Sequence, residues 1–472
     1  MATPESPSAR SAPHGAATPA RTRRLLEGPI GPTLAALAAP NVVVSVAQMA
    51  VAIADAWYVG FLGVAPLAAL ALVFPVQSLM TMMSAGAMGG GISSAMARAL
   101  GAGNRERAES IPLHALVIAV GMAALFTVLF ALFARPLFAL LGGRETALDG
   151  AVAYAQVMFG GAIVVWVANT LASLLRGTGN MALPGIVFTA TAILNIALSG
   201  TLTLGWLGAP RLGVAGPAVA AIVSFGVAAL VMLAYLSAGR SGVRLRLLDV
   251  RLEPAIFLDI LKVGLVACGN ALLTITTIII VTGLVGLYGT AALAGYGLGS
   301  RLELLLIPIT FSVGGAMTAM VGANRGAKAH ARVRQIGWTG GLAAFVITGV
   351  IGLAVAIAPD LWIGLFTADA EAAAVARRYL AIAGPFFAFF GLGQALYFAT
   401  QGTGNMAAPF TAGCMRLAVA GGLGALVVLA LGLSLNWLFV CVAAGFVVFG
   451  GMLAYAVWRG RTWNPDRYGA KA

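Results

Sequence analysis

Charge is scarce in this chain of 472 residues: Asp, Glu, Lys and Arg together make up 9% of it, where soluble domains run near a quarter. Set beside 60% apolar residues, that scarcity excludes an ordinary soluble protein and makes the bilayer the organising constraint. Histidine is nearly absent, with three residues that lie near neither one another nor an acid within an apolar run. A membrane-embedded enzyme would need paired acids, a histidine cluster, a nucleophile–base set or a metal site, so catalysis, metal and cofactor are not expected. The three cysteines, Cys268, Cys414 and Cys441, sit in apolar runs without metal-ligand spacing, which argues for packing residues over disulfides or zinc. Residues 1–30 hold Pro, Ala, Ser and Arg but no apolar core of their own; a disordered cytoplasmic tail is expected there, with no cleavable signal peptide.

What the chain has in abundance is long apolar runs. Stretches able to cross the hydrocarbon core recur near 34–60, 64–96, 111–134, 151–175, 182–206, 213–237, 260–286, 290–323, 335–358, 377–400, 408–432 and 434–458, which predicts an all-α polytopic membrane protein with twelve transmembrane helices. An even number of spans puts both termini on one side. If that side is the cytoplasm, 21 of the 28 Lys and Arg lie inside, Arg176 and three at 98–107 among them. This is the positive-inside pattern of a multi-pass plasma (inner) membrane protein, and it accounts for the net charge of +13 without a nucleic-acid partner.

The twelve runs fall into two copies of six. RGTGNMALP, starting at Arg176, returns as QGTGNMAAP starting at Gln401, an offset of 225 that also pairs Tyr154 with Tyr379, Asn169 with Gln394 and Gly101 with Gly326. A register shifted by one residue pairs Gly63-x-x-x-Leu67-Ala68 with Gly289-x-x-x-Leu293-Ala294. Because six is even, both copies enter the membrane from the same side, giving two six-helix bundles in a parallel pseudo-two-fold repeat. The expected divisions are a tail at 1–30, an amino-terminal lobe at 31–237, a cytoplasmic linker at 238–259, a carboxyl-terminal lobe at 260–458 and a second tail at 459–472. Two similar bundles around a central cleft suit alternating access by rocking. With two lobes in one chain, a monomer in contact with membrane lipids is expected.

Four charges fall well inside spans: Asp55, Arg301, Glu303 and Arg416. Each costs about 2.5–3.5 kcal/mol on an insertion scale, so a functional use is the default. Asp55 has no nearby cation in sequence and is suited to taking up and releasing a proton. Glu303 and Arg416 are placed roughly 10–12 Å from the cytoplasmic ends of their helices, which makes a structural ion pair one reading and a cavity role for Glu303 the other. Arg301 cannot share a helix face with Glu303 and is a second cavity candidate. GTGN lacks the Gly-Lys-Ser/Thr end of a phosphate loop and reads as a helix–hairpin–helix signal.

These features together resemble the multidrug and toxic compound extrusion (MATE) family of cation-coupled exporters. The likeness spans residues 33–465. It rests on Pro40, on Asp55 followed by Val59-Gly60-x-x-Gly63, on LGAGNRERA at 100–108, on both GTGN hairpins, on YLAIAGPFF at 379–387 and on RGRTW ending at Trp463. The resemblance implies a polar coupling pocket in the amino-terminal lobe formed by Asp55, Tyr154, Asn169 and Asn195, with Pro40 as a kink in the first helix. Two departures bear on the ion. The family's NxxxD in the fifth helix reads Asn195-Ile-Ala-Leu-Ser199, and its sixth-helix hydroxyl is Ala221. The acids of the sodium-coupled branch are missing from the carboxyl-terminal lobe, where Gln394 and Tyr397 remain in the tenth span. A hard cation wants several oxygen ligands, so H+ is favoured over Na+ as the coupling ion.

The expectation is a secondary-active multidrug efflux transporter, a proton-coupled antiporter of amphipathic or cationic small molecules. The alternative is a flippase of lipid-linked saccharides from the wider superfamily. It is disfavoured because two acids and two arginines leave the centre without net charge.

Overall fold

The structure is a computed structural model that describes residues 20–243, 251–367 and 369–460. With no water to satisfy N–H and C=O groups in the hydrocarbon core, apolar runs close their hydrogen bonds within helices, and no strand occurs among the described residues. Twelve spans result when one bent pair counts once. The first lobe holds Ile30–Gly60, Val64–Gly101, Arg105–Leu140, the pair Glu145–Gly160 and Ala162–Gly177, Ala182–Leu204 and Gly213–Ser237. The second holds Pro254–Gly286, Thr290–Gly326, His330–Ile357, Ala370–Thr403, Ala407–Ala430 and Leu435–Trp458. They are called the first to twelfth spans below.

Several boundaries differ from expectation. The fourth span breaks by 49° after Gly160, which the uninterrupted apolar run at 151–175 did not signal. The seventh begins at Pro254, placed at a helix start where its missing N–H costs nothing, so the linker expected at 238–259 loses its last residues to the helix. Residues 244–250 of that linker, 1–19 of the first tail and 461–472 of the second, Trp463 included, lie outside the described residues. The tail expected to be disordered over 1–30 is helical at Ala20–Glu27. Leu25 and Thr22 are buried there, and Asn324 Nδ2 donates to Leu25 O at 2.9 Å. That tertiary contact orders a segment too short to hold as an isolated helix.

The repeat recurs as matched backbone geometry. Gly63 and Gly289 open the second and eighth spans with φ of 112° and 104°, and Gly179 and Gly404 turn the two GTGN hairpins with φ of 82° and 83°, conformations open to glycine. Asn180 Oδ1 then accepts from Leu183 N at 3.2 Å and Asn405 Oδ1 from Ala407 N at 3.1 Å, which satisfies one first-turn N–H of each helix that follows.

The lobes meet about their axis by the same rule. A Cβ on Gly101 would overlap Ala323 O, and one on Gly326 would overlap Arg98 O; Arg98 and Ala323 are themselves 225 residues apart. Each lobe thus offers the other the same pair of positions, the signature of a two-fold contact.

Candidate functional site

Asp55 is half-buried on the first span, and its Oδ1 accepts a hydrogen bond from Ser199 Oγ of the fifth span at 2.5 Å. Ser199 is fully buried. Asn195 stands one helical turn before it, on the same face; it is 5% exposed and its Oδ1 has no partner. No cation pairs with Asp55 among the described residues. The other two residues of the expected set bond elsewhere. Tyr154 OH donates to Gln77 Oε1 at 3.0 Å, and Asn169 Nδ2 donates to Ser84 Oγ at 2.9 Å.

Gln77 and Ser84 are seven residues apart on the second span and present one face to the fourth. Ser84 lies in a π-helical stretch, Met82–Met88, a feature frequent at functional sites. The four expected residues therefore do not bond to one another here; each is held by a serine or glutamine, or is left open at Asn195. The signal for Ser199 was present in the sequence as a departure from NxxxD. Gln77 and Ser84 were legible only as two uncharged polar residues at helical spacing.

Pro40 lies within the continuous first span. A Cβ on Gly185 of the fifth span would come within 2.7 Å of Pro40 Cβ, so the fifth span packs directly against the proline and the two helices carrying Asp55 and Ser199 touch there.

In the carboxyl-terminal lobe, Arg416 Nη2 donates to Glu303 Oε1 at 2.9 Å and Tyr379 OH donates to Glu303 Oε2 at 3.3 Å. The guanidinium also lies 5.3 Å from the Phe390 ring and 5.4 Å from that of Phe446. Both charged side chains are buried. The depth assigned to Glu303 from sequence needs correction. It stands 13 positions after Thr290 and 23 before Gly326, so it sits in the half of the eighth span that begins at Thr290. It nonetheless meets Arg416 of the eleventh span directly.

The other cavity candidates do not join this pair. Arg301 is exposed, its guanidinium 5.9 Å from the Phe366 ring in the segment joining the ninth and tenth spans. That segment is fixed there by Trp362 Nε1 donating to Leu298 O at 2.9 Å; Arg301 thus stands at the level of a loop. Gln394 is half-buried and Tyr397 buried, but they follow Tyr379 by four turns or more, about 22 Å along a helix.

At the end of the molecule that carries Ala20 and Gly460, the lobes are joined by a polar seal. Ser94 Oγ donates to Gln401 O at 2.7 Å and Gly402 O at 3.0 Å. Asp259 pairs with Arg98 at 2.8 Å and Arg107 at 2.9 Å, and Glu253 N donates to His114 Nε2 at 2.8 Å. The inter-lobe polar contacts among the described residues begin near mid-span, at Asn41 and Ser45 against Ser312, and continue only toward this end. Arg98 and Arg176, counted from sequence as loop charges, turn inward in this region, Arg98 half-buried and Arg176 buried. A hairpin lying only a few residues further on concealed the burial of Arg176.

Comparison with known proteins bears on the same chain. The MatE family pattern matches residues 40–201 and 266–426. A FAD transporter of Shewanella oneidensis is 28% identical over 320 residues, 66% of this chain and 69% of its own length. A probable multidrug resistance protein, NorM, of Thermotoga maritima is 27% identical over 381 residues, 79% of this chain and 80% of its own. A solved structure of a transporter of the MOP superfamily from Pyrococcus furiosus superposes with a TM-score of 0.86 at 24% identity, covering 94% of this chain and 98% of that one. With the family pattern falling once in each six-span lobe, this chain belongs to the MatE family.

Proposed function

We propose that this protein exports amphipathic, often cationic, compounds across the plasma membrane in exchange for protons. Asp55 is the proton carrier, and rocking of the two lobes alternates access to the cleft. The observation that carries this reading is the Asp55–Ser199 contact: a carboxyl group on a membrane span with no cation beside it, bonded to a hydroxyl where the family pattern has a second acid. One carboxylate, one hydroxyl and one amide offer little to a hard cation but suffice for proton exchange.

The termini face the cytoplasm in this reading, by the distribution of Lys and Arg. The sealed end is then cytoplasmic, and the opposite half of the cleft, toward which Asp55 lies on the first span, opens outward. Protonation of Asp55 in that state and its release after the lobes rock would drive export. Relatives named for multidrug resistance support the substrate class. Ethidium transport by inverted membrane vesicles under an imposed pH gradient, with and without sodium, is the test. Wild type is expected to be driven by the gradient alone and Asp55→Asn to lose that drive; full pH-driven transport by Asp55→Asn would remove the assignment.

A further inference from the structure

We propose that Arg176 forms a binding site for an anionic group on an aromatic compound, where the two lobes meet beside Phe311. Arg176 ends the fourth span and is 7% exposed. Its Nη2 donates to Ser173 Oγ at 2.9 Å, and its guanidinium lies 5.9 Å from the ring of Phe311 in the other lobe. None of the acids among the described residues pairs with it. A guanidinium carries five N–H donors, and one hydroxyl and one ring face leave most of that capacity unused.

The repeat supplies an internal control. Arg176 and Gln401 are equivalent positions, as are Gly86 and Phe311, each pair 225 residues apart. Gln401 reaches across the axis to donate to Gly86 O at 3.2 Å and Ala87 O at 3.1 Å; Arg176 reaches across in the opposite sense to Phe311. On one side the crossing is made by a neutral amide whose N–H groups are satisfied, although its Oε1 has no partner. On the other it is made by a cation facing an aromatic ring, with no counter-ion. The fold therefore closes around a glutamine at this place and has no need of a charge. A buried charge without a partner costs several kcal/mol, so the arginine is explained by a negative group arriving from outside the chain.

The surroundings give that group a body. The Phe311 ring packs edge-on to Phe398 at 5.5 Å, and Gly86 adds no side chain between Phe311 and the π-helical stretch of the second span. A planar fork beside aromatic faces suits a carboxylate, sulfonate or phosphate attached to an aromatic ring. Two poles follow for the cleft: Asp55 for protons and cations in the first lobe, Arg176 for an anionic substituent at the axis.

The inference rests on the export reading for the role of the cleft, and it is tested by equilibrium binding so that the two stand or fall separately. The full chain in nanodiscs is titrated with naphthalene-2-sulfonate and with 2-naphthyltrimethylammonium, the same ring carrying opposite charges. Wild type is expected to bind the sulfonate saturably. Arg176→Gln, the side chain found at the equivalent position, weakens it by about tenfold, the loss of one charge-assisted hydrogen bond or more. It leaves trimethylammonium binding unchanged. Arg176→Lys, which keeps the charge and loses the fork, falls between. Absence of saturable sulfonate binding by wild type overturns the proposal, as does equal sulfonate affinity in wild type and both variants. A parallel loss for both probes overturns it too, by assigning Arg176 a packing role. Failure of ethidium transport with normal sulfonate binding would instead count against proton-coupled export alone.

Discussion

Ser199 places its hydroxyl 2.5 Å from Asp55 Oδ1, and it does so from the position at which the family's fifth-helix motif carries an acid. The exchange of a carboxylate for a hydroxyl turns a potential two-acid cation site into a single acid with a neutral donor. Two carboxyl groups at such a separation would share one negative charge or gather a cation.

Restoring the acid should therefore change the ion. Ser199→Asp places a second carboxyl group against Asp55 one turn from the open Asn195 Oδ1, which adds oxygen ligands for sodium. Ethidium transport in vesicles, driven by an imposed sodium gradient at constant pH, is expected to rise at least about tenfold over wild type, the effect of 1.4 kcal/mol of coupling. A variant still indifferent to sodium would show that Ser199 does not decide ion choice.

The carboxyl-terminal lobe offers a cleaner separation of structure from mechanism. Removing one member of a buried ion pair strands the other charge at a cost of about 3–5 kcal/mol, while replacing both with apolar residues is often neutral. Glu303→Gln alone should thus lower the thermal midpoint of the purified protein, and Glu303→Met with Arg416→Met should recover most of it. If the double variant also transports ethidium at the wild-type rate, the pair is structural. A stable double variant without transport would put Glu303 in the transport cycle.

The two-fold architecture was legible in the sequence because it is written in repeated strings and in charge-free length, signals that survive without tertiary information. The surroundings of Asp55 were only half legible. Asp55 stands out because charge is rare in a membrane span, and Asn195-x-x-x-Ser199 by its departure from a motif. The partners Gln77 and Ser84 are ordinary polar residues until the fourth span is folded against the second. Arg176 shows the limit most clearly. Its distance from the hairpin in sequence says loop, whereas a long side chain lying back along the helix carries its charge into the interior. Arg301 errs the other way: surrounded by apolar sequence, it ends at loop level because the eighth span is longer than a membrane requires.

At the sealed end, Asp259 bridges Arg98 and Arg107 with a carboxylate that is about one-third exposed, so each pair contributes little alone. Asp259→Asn is expected to leave the thermal midpoint nearly unchanged. It should nevertheless increase modification, by a membrane-impermeant maleimide, of a cysteine placed at Ser94, which the seal covers. Unchanged labelling would mean that Asp259 does not help to hold the seal.

A close backbone approach between the lobes gives a sharper test of rocking. Gly101 meets Ala323 O and Gly326 meets Arg98 O with no room for a Cβ, so closure of this end depends on both positions lacking a side chain. Gly326→Val forces backbone apart from backbone, and neither can yield by a rotamer change. Overpacking of this kind costs about 1–3 kcal/mol, but here the cost falls only on the sealed conformation and vanishes once the lobes part. The population should therefore move toward the state open at this end by roughly 5- to 150-fold. Spin labels at Ala102 and Lys328, exposed positions beside the two glycines, would report a longer inter-lobe distance, and ethidium transport should fall because one half of the cycle is lost. A wild-type distance distribution in Gly326→Val would show that this contact opens by local bending of one helix instead of by movement of the lobes.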